Sequence, residues 1–242
     1  MQFVQSSAKI TYVKFLAEKN QNQELSLVQT DIVSSLRIID CGLADYRKTL
    51  KLQHELQEKR RLGEIQNTVL IVEHPPVITL GARQSANKLI AAKDDLAQKH
   101  IDIVDIRRGG GTTAHNPGQL VFYPILNLQE FKLGISGYIR KLESIGAELL
   151  EQSGVQSEIK KGFPGLWIGE KKIASIGVRV SKFVTYHGMA ININNDLSIF
   201  EFITPCGLDG VKMTSVLKQT GKQCSMKLAK ERLSQLLMRY FS

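Results

Sequence analysis

A chain of 242 residues, 43% hydrophobic and 23% charged, has the composition of an ordinary globular protein and is long enough for one large core or two small ones; a single domain is expected. The 32 Lys and Arg against 23 Asp and Glu leave a formal charge of +9, which favours an acidic partner (nucleic acid, anionic membrane or acidic protein) without choosing among them. Cys41, Cys206 and Cys224 are odd in number and lack CxxC or Cys/His ligand spacing, which argues against a disulfide framework or a structural zinc and for a reducing compartment.

Residues 1–35 are polar and Gln-rich around KNQNQELSLVQTD, without clean periodicity, and read as an N-terminal extension; the single domain is expected over 36–242. The N-terminus carries no signal-peptide apolar core and no Arg, and no run is long enough to span a membrane, so a cytoplasmic location is expected. From 43 to 62 the spacing of Tyr46, Leu50, Leu52 and Leu56 predicts a helix ended by Gly63. NTVLIVEH reads as a buried strand stopped by Pro75 and Pro76, after which VITLG is expected to resume the same sheet. A strand at 101–106 runs into RRGGGTTAHNPGQ, read as a loop, and then into the strand LVFYPILNL. Tyr138, Leu142, Ile145 and Leu149 mark a helix before Gly154. Short strands at 155–160, 165–169, 171–180 and 184–194 are joined too tightly for crossovers and predict an antiparallel meander. Leu233, Leu236, Leu237 and Tyr240 then mark an amphipathic C-terminal helix. The fold class that follows is α+β, a mainly antiparallel or mixed sheet flanked by helices.

The chemistry-bearing residues leave several readings open. Gly109, Gly110 and Gly111 allow close backbone approach, but the spacing is not that of a phosphate-binding P-loop. Cys206 in ITPCG sits in turn-like surroundings rather than an apolar run. As a nucleophile it needs a cation, because a free thiol titrates near ~8.5. Lys171, Lys172, His187 and His115 are the candidates, with one of the two lysines expected to face inward and the other outward. Cys41 and Cys224 read as bystanders.

Three segments together resemble the octanoyltransferases of lipoate biosynthesis, members of the biotin/lipoate protein ligase fold: EHPPVITLGAR at 73–83, RRGGGTTAHNPGQLVFYPILNL at 107–128, and GLWIGEKKIASIGVRVSKFVTYHGMAININNDLSIFEFITPCGL at 165–208. Their order and spacing also agree. The resemblance implies a nucleophile at Cys206 and a catalytic lysine at Lys172. It implies acyl-binding residues at Arg108, Gly109, Gly110, Gly111, Thr112, Thr113, Ala114 and His115, at Ser175, Ile176 and Gly177, and at Gly188, Met189 and Ala190. Arg83 and His74 join His115 as pocket residues on the same ground. Two positions depart from the family pattern: Ala114 stands where an aromatic residue is usual and Asn116 where Gly is usual. Loss of the ring points to an altered pocket shape or chain-length preference, whereas Asn tolerates a left-handed backbone.

The implied reaction moves an octanoyl or lipoyl group from acyl carrier protein, through a Cys206 thioester, to a lysine of the lipoyl domains of 2-oxoacid dehydrogenases and the glycine cleavage H protein. Thioester-to-amide exchange is downhill, so neither ATP, metal nor other cofactor is expected, and the enzyme is expected to be a monomer with no nucleic-acid or membrane partner. The competing readings are an ATP-dependent lipoate or biotin ligase, which needs no Cys206, an inactive acyl-protein-binding paralogue, and a basic nucleic-acid binder.

Overall fold

The computed structural model describes residues 36–207 and 210–241; residues 1–35, expected to be an extension, lie outside the described residues. The described chain opens with a strand that the sequence pattern does not predict, β1 (Arg37–Leu43). The helix α1 (Tyr46–Arg61) therefore starts later than its apolar spacing predicts, at the Asp45 cap, whose carboxylate accepts from the Lys48 N–H at 2.9 Å. β2 (Thr68–Glu73) and β3 (Val77–Leu80) flank the two prolines, followed by α2 (Lys93–Gln98), β4 (Asp102–Asp105), β5 (Thr113–His115), β6 (Gln119–Ile125) and α3 (Ile135–Glu151). The expected meander is present as β7 (Glu158–Lys160), β8 (Phe163–Ile168), β9 (Lys171–Ser181) and β10 (Val184–Asn192). β11 (Lys212–Met213), α4 (Val216–Thr220) and α5 (Met226–Phe241) complete the described chain.

The main sheet has the order β1-β2-β6-β10-β9-β8-β7, with β11 added in parallel to the start of β9. Two expectations are corrected by the second sheet, β4-β3-β5. β3 does not resume the main sheet after Pro75 and Pro76 but leaves it, pairing in parallel with β4 and antiparallel with β5. The segment after the glycine run is not wholly loop, because Thr113–His115 pairs with Val77, Ile78 and Thr79. A three-residue strand carries too short an alternation to be read from sequence.

α3 and α5 cover one face of the main sheet and bury Leu142, Ile145, Leu149, Leu233 and Leu237 against β6, β9 and β10. α1 covers the other face with a largely polar inner stripe: Thr49, Gln53, Gln57 and Arg60 are buried beside Leu56. Buried polar groups need partners, and here Gln57 donates to the Ser181 carbonyl at 3.2 Å, Arg60 to Asn67 Oδ1 at 2.9 Å and also to Glu130, while Gln53 accepts from the His187 N–H at 2.8 Å.

β6 and β10 approach closely at Gly188, where a Cβ would run into the Phe122 carbonyl and Pro124. Gly188→Ala should destabilise the fold by about 1–3 kcal/mol through forced separation of these strands, read as a lower urea midpoint with an unchanged m-value.

Candidate active site

Register on one hairpin brings together residues that the sequence separates. On β9 and β10, Gly177 stands opposite Gly188, Ile176 opposite Met189 and Ser175 opposite Ala190. Above them lies the glycine loop. Gly109 donates its N–H to the Val178 carbonyl at 3.1 Å, and a Cβ on Gly177 would stand 2.8 Å from Arg108 Cδ. Between loop and hairpin is a cleft of about 440 Å³ including its mouth, walled also by Thr113 and His115 of β5, Val121 and Tyr123 of β6, and Tyr46 of α1.

The expected acyl-binding residues Arg108, Gly109, Gly110, Thr113, His115, Ser175, Ile176, Gly177, Gly188, Met189 and Ala190 all line this one cleft. Gly111, Thr112 and Ala114 do not. Gly111 packs its α-carbon against the Ala86 carbonyl, Thr112 accepts the Lys88 N–H at 2.9 Å, and Ala114 is fully buried with Ile78, Leu96 and Phe200 under the small sheet. The departure at Ala114 thus falls in that core and not in the cleft, because alternate residues of a strand face opposite ways. Arg83, also expected in the pocket, is exposed, with only its backbone N–H turned to the Gly110 carbonyl at 3.3 Å. Asn116 donates to the Asp196 carbonyl at 2.8 Å and is not among the residues with positive φ, so it serves as a hydrogen-bonding clamp and not as a glycine surrogate.

Arg108 is buried at the cleft edge and donates through Nη2 to the Thr79 carbonyl (3.0 Å) and hydroxyl (2.8 Å). His74 donates Nδ1–H to the Ala44 carbonyl at 2.7 Å, which leaves Nε2 to accept from the Tyr123 hydroxyl at 2.9 Å. Gln119 donates to the Ala114 carbonyl and to Asn192 Oδ1, so its oxygen faces His115, and His115 Nδ1 donates to it at 2.7 Å. The His115 ring stacks on Tyr46, 5.6 Å between centroids. Burial pushes His74 down to about 4, and His115 and His187 to about 3, with neighbouring His74 and Arg108 respectively adding to the effect. Burial also pushes Tyr46 up to about 12. At neutral pH the cleft is therefore lined by uncharged imidazoles and phenols beside one guanidinium, surroundings suited to an apolar chain with a polar head.

Lys172 and Lys171 part as expected, the first 2% exposed and the second exposed. Lys172 lies three residues upstream of Ser175 on β9. Its stem crosses Gly165, where a Cβ would stand 2.8 Å from Lys172 Cε, and its ammonium sits 5.0 Å over the Trp167 ring. A chain of buried hydrogen bonds ties it to the cleft: His115 to Gln119, Gln119 to Asn192, Asn192 Nδ2 to the Thr214 carbonyl at 2.9 Å, and the Thr214 N–H to the Lys172 carbonyl at 2.9 Å.

The backbone of Cys206 forms a 3-10 turn, Pro205–Gly207, while its side chain lies outside the described part of the structure. Gly207 rests on Ala86, the residue that also supports Gly111; a Cβ on Gly207 would stand 2.5 Å from Ala86 Cβ. The turn and the glycine loop thereby share Ala86 as a common support. Of the other cysteines, Cys41 has its thiol pushed up to about 11 by burial and Asp40, and Cys224 is half-buried against the main core. Sequence reasoning does not reach Tyr46, Tyr123 and Gln53 as site residues. Nothing distinguishes them there, since Tyr46 belongs to a helical stripe and Tyr123 to an apolar strand.

The family model of the lipoyl protein ligase A/B catalytic domain matches residues 45–237. The octanoyltransferase of Desulfovibrio desulfuricans is 41% identical over 181 residues, 75% of this chain and 76% of that one. The octanoyltransferase of Alkaliphilus metalliredigens is 36% identical over 211 residues, 86% of this chain and 94% of that one. The chain belongs to the octanoyltransferases of this catalytic-domain family, and is an acyltransferase. The fold is also that of the bipartite lipoate protein ligase of Thermoplasma acidophilum, studied with its E2 lipoyl domain, at a TM-score of 0.63 and 13% identity, covering 84% of this chain and 82% of that one. Among the described residues no helix is long and apolar enough to cross a membrane.

The three histidines give the family fold here an acid sensitivity. Each is held below its ordinary value of 6.5, so the unfolded chain binds more protons and stability, complete above pH 6.5, is lost as pH falls toward the folded values. Urea unfolding should show a loss of about 2 kcal/mol per histidine between pH 7 and 5, and His187→Asn should remove about a third of the histidine-dependent part.

Proposed function

We propose that this acyltransferase takes an octanoyl group from acyl carrier protein and delivers it to a lysine of a lipoyl domain, with Cys206 as nucleophile and Lys172 as its charge partner and proton shuttle. The observation that carries the reading is the convergence of the 108–115, 175–177 and 188–190 segments on one cleft, and it is supported by the packing of the Cys206 turn and of Gly111 in the glycine loop on the same residue, Ala86.

In the first step the Cys206 thiolate attacks the thioester carbonyl. The enzyme C–S bond forms, the carrier C–S bond breaks, and the carrier thiolate leaves with a proton from Lys172. In the second step the lipoyl-domain amine attacks the enzyme thioester. A C–N bond forms, the Cys206 thiolate departs, and the amine proton passes to Lys172. The ammonium is what keeps Cys206 ionised near neutral pH. The neutral cleft accommodates the acyl tail, and the oxyanion is stabilised by a backbone N–H other than those of Gly109 and Gly207, which are bound to the Val178 and Thr204 carbonyls. The charge of +9 suits an acidic carrier by speeding encounter, and a cytoplasmic monomer is the working form.

Brief incubation with octanoylated carrier protein should add one octanoyl mass to the intact protein, labile to hydroxylamine. The adduct should be absent from Cys206→Ser and form about 10²–10⁴-fold more slowly in Lys172→Ala. Transfer only on addition of ATP and free octanoate would make the chain a ligase and Cys206 incidental. With carrier protein as donor, kcat/KM should fall as salt rises from about 50 to about 500 mM, while a small uncharged octanoyl thioester should show no such dependence.

A further inference from the structure

His187 stands opposite Val178, at the end of the cleft farthest along β9 from Lys172. It is 2% exposed, holds a left-handed backbone at φ +58°, and is fixed there by its N–H bond to Gln53 Oε1. Gln53 is 0% exposed. Gln53 Nε2 and His187 Nδ1 are both buried without a hydrogen-bond partner among the described residues, whereas the neighbouring His74, His115, Gln57 and Gln119 have theirs.

An unpaired buried polar group is destabilising, and two in one contacting pair mark a place for a polar atom. The amide nitrogen can only donate, and the neutral imidazole nitrogen can accept. A hydroxyl, which accepts one bond and donates another, satisfies both. His187 lines the far end of the cleft and the Gln53 side chain is bonded to its backbone N–H, so both unpaired nitrogens belong to residues at that end. Resting on the acyl-cleft reading above, we propose that Gln53 and His187 form a polar subsite for the far end of the acyl chain, one that takes a hydroxyl on the terminal carbon of an eight-carbon acyl group. With plain octanoyl a water fills the same place. A longer alkyl chain displaces that water and leaves both nitrogens unpaired, which makes the pair a stop on chain length as well.

Calorimetric titration of the full chain with octanoate, 8-hydroxyoctanoate and decanoate tests this without calling on catalysis. The unmodified protein should bind 8-hydroxyoctanoate within about threefold of octanoate, where a site lacking a partner for the buried hydroxyl would reject it about tenfold or more, and should bind decanoate at least about tenfold more weakly because that chain leaves both nitrogens unpaired. In Gln53→Met the 8-hydroxyoctanoate to octanoate affinity ratio should fall at least about tenfold, and the decanoate penalty should shrink. His187→Asn, whose side chain tolerates positive φ, should do the same and serves if the first variant does not fold. Because both readouts are ratios, a general loss of folded protein leaves them unmoved. Octanoate binding with 8-hydroxyoctanoate rejected about tenfold or more, or ratios unchanged in the variants, overturns the polar subsite alone. Failure of all three acids to bind overturns the acyl-cleft reading, and the subsite with it.

Discussion

The site depends on one contact between backbones: the glycine loop lying directly on the β9–β10 hairpin, with the Gly109 N–H bound to the Val178 carbonyl and no side chain at Gly177 to hold them apart. Side chains at these points would push the loop off the sheet and open the cleft to solvent. The same device repeats outward. Gly81 sits against the Gly110 carbonyl, and Gly111 and Gly207 both rest on Ala86. A stack of small residues thereby joins the small sheet, the loop, the hairpin and the Cys206 turn.

Around that stack the protein buries polar side chains where a simpler fold would place apolar ones. The inner stripe of α1 and the His74, His115, Gln119 and Asn192 network are buried and nearly all paired. Such networks cost desolvation and return geometric definition. Here the definition is that bonds through Gln119, Asn192 and Thr214 join the His115 ring at one wall to the backbone of Lys172 at the start of β9. The neutrality of the imidazoles follows from the same burial, so the cleft combines a rigid frame with an uncharged lining.

The elements with strong periodicity are legible in the amino-acid pattern. α3 and α5 bury the leucines that their spacing marks, and the β7–β10 meander has the short connections that exclude crossovers. β1 is not legible because its RIIDCGL alternates poorly, and β3 reads into the wrong sheet because prolines mark where a strand stops but not which way the chain then turns. Ala114 shows the limit at the level of one residue. A family motif places it among acyl-binding positions, yet strand alternation sends its side chain into the core beneath the small sheet.

By itself the sequence determined the class of fold, the family and the residue types for chemistry, because periodicity, glycine placement and the KIASIG, HGMAIN and PCG motifs are local and need no tertiary contact to be recognised. Only the tertiary structure decided which of those residues share a cleft, that Lys172 is buried while Lys171 is exposed, that three histidines are uncharged, and that Gln53 bonds the His187 backbone while a side-chain nitrogen of each is left unpaired. These depend on register, burial and contacts between segments more than a hundred residues apart, as Gln53 and His187 are. Charge state and hydrogen-bond pairing are set by what surrounds a group in space, and spacing along the chain does not carry that information.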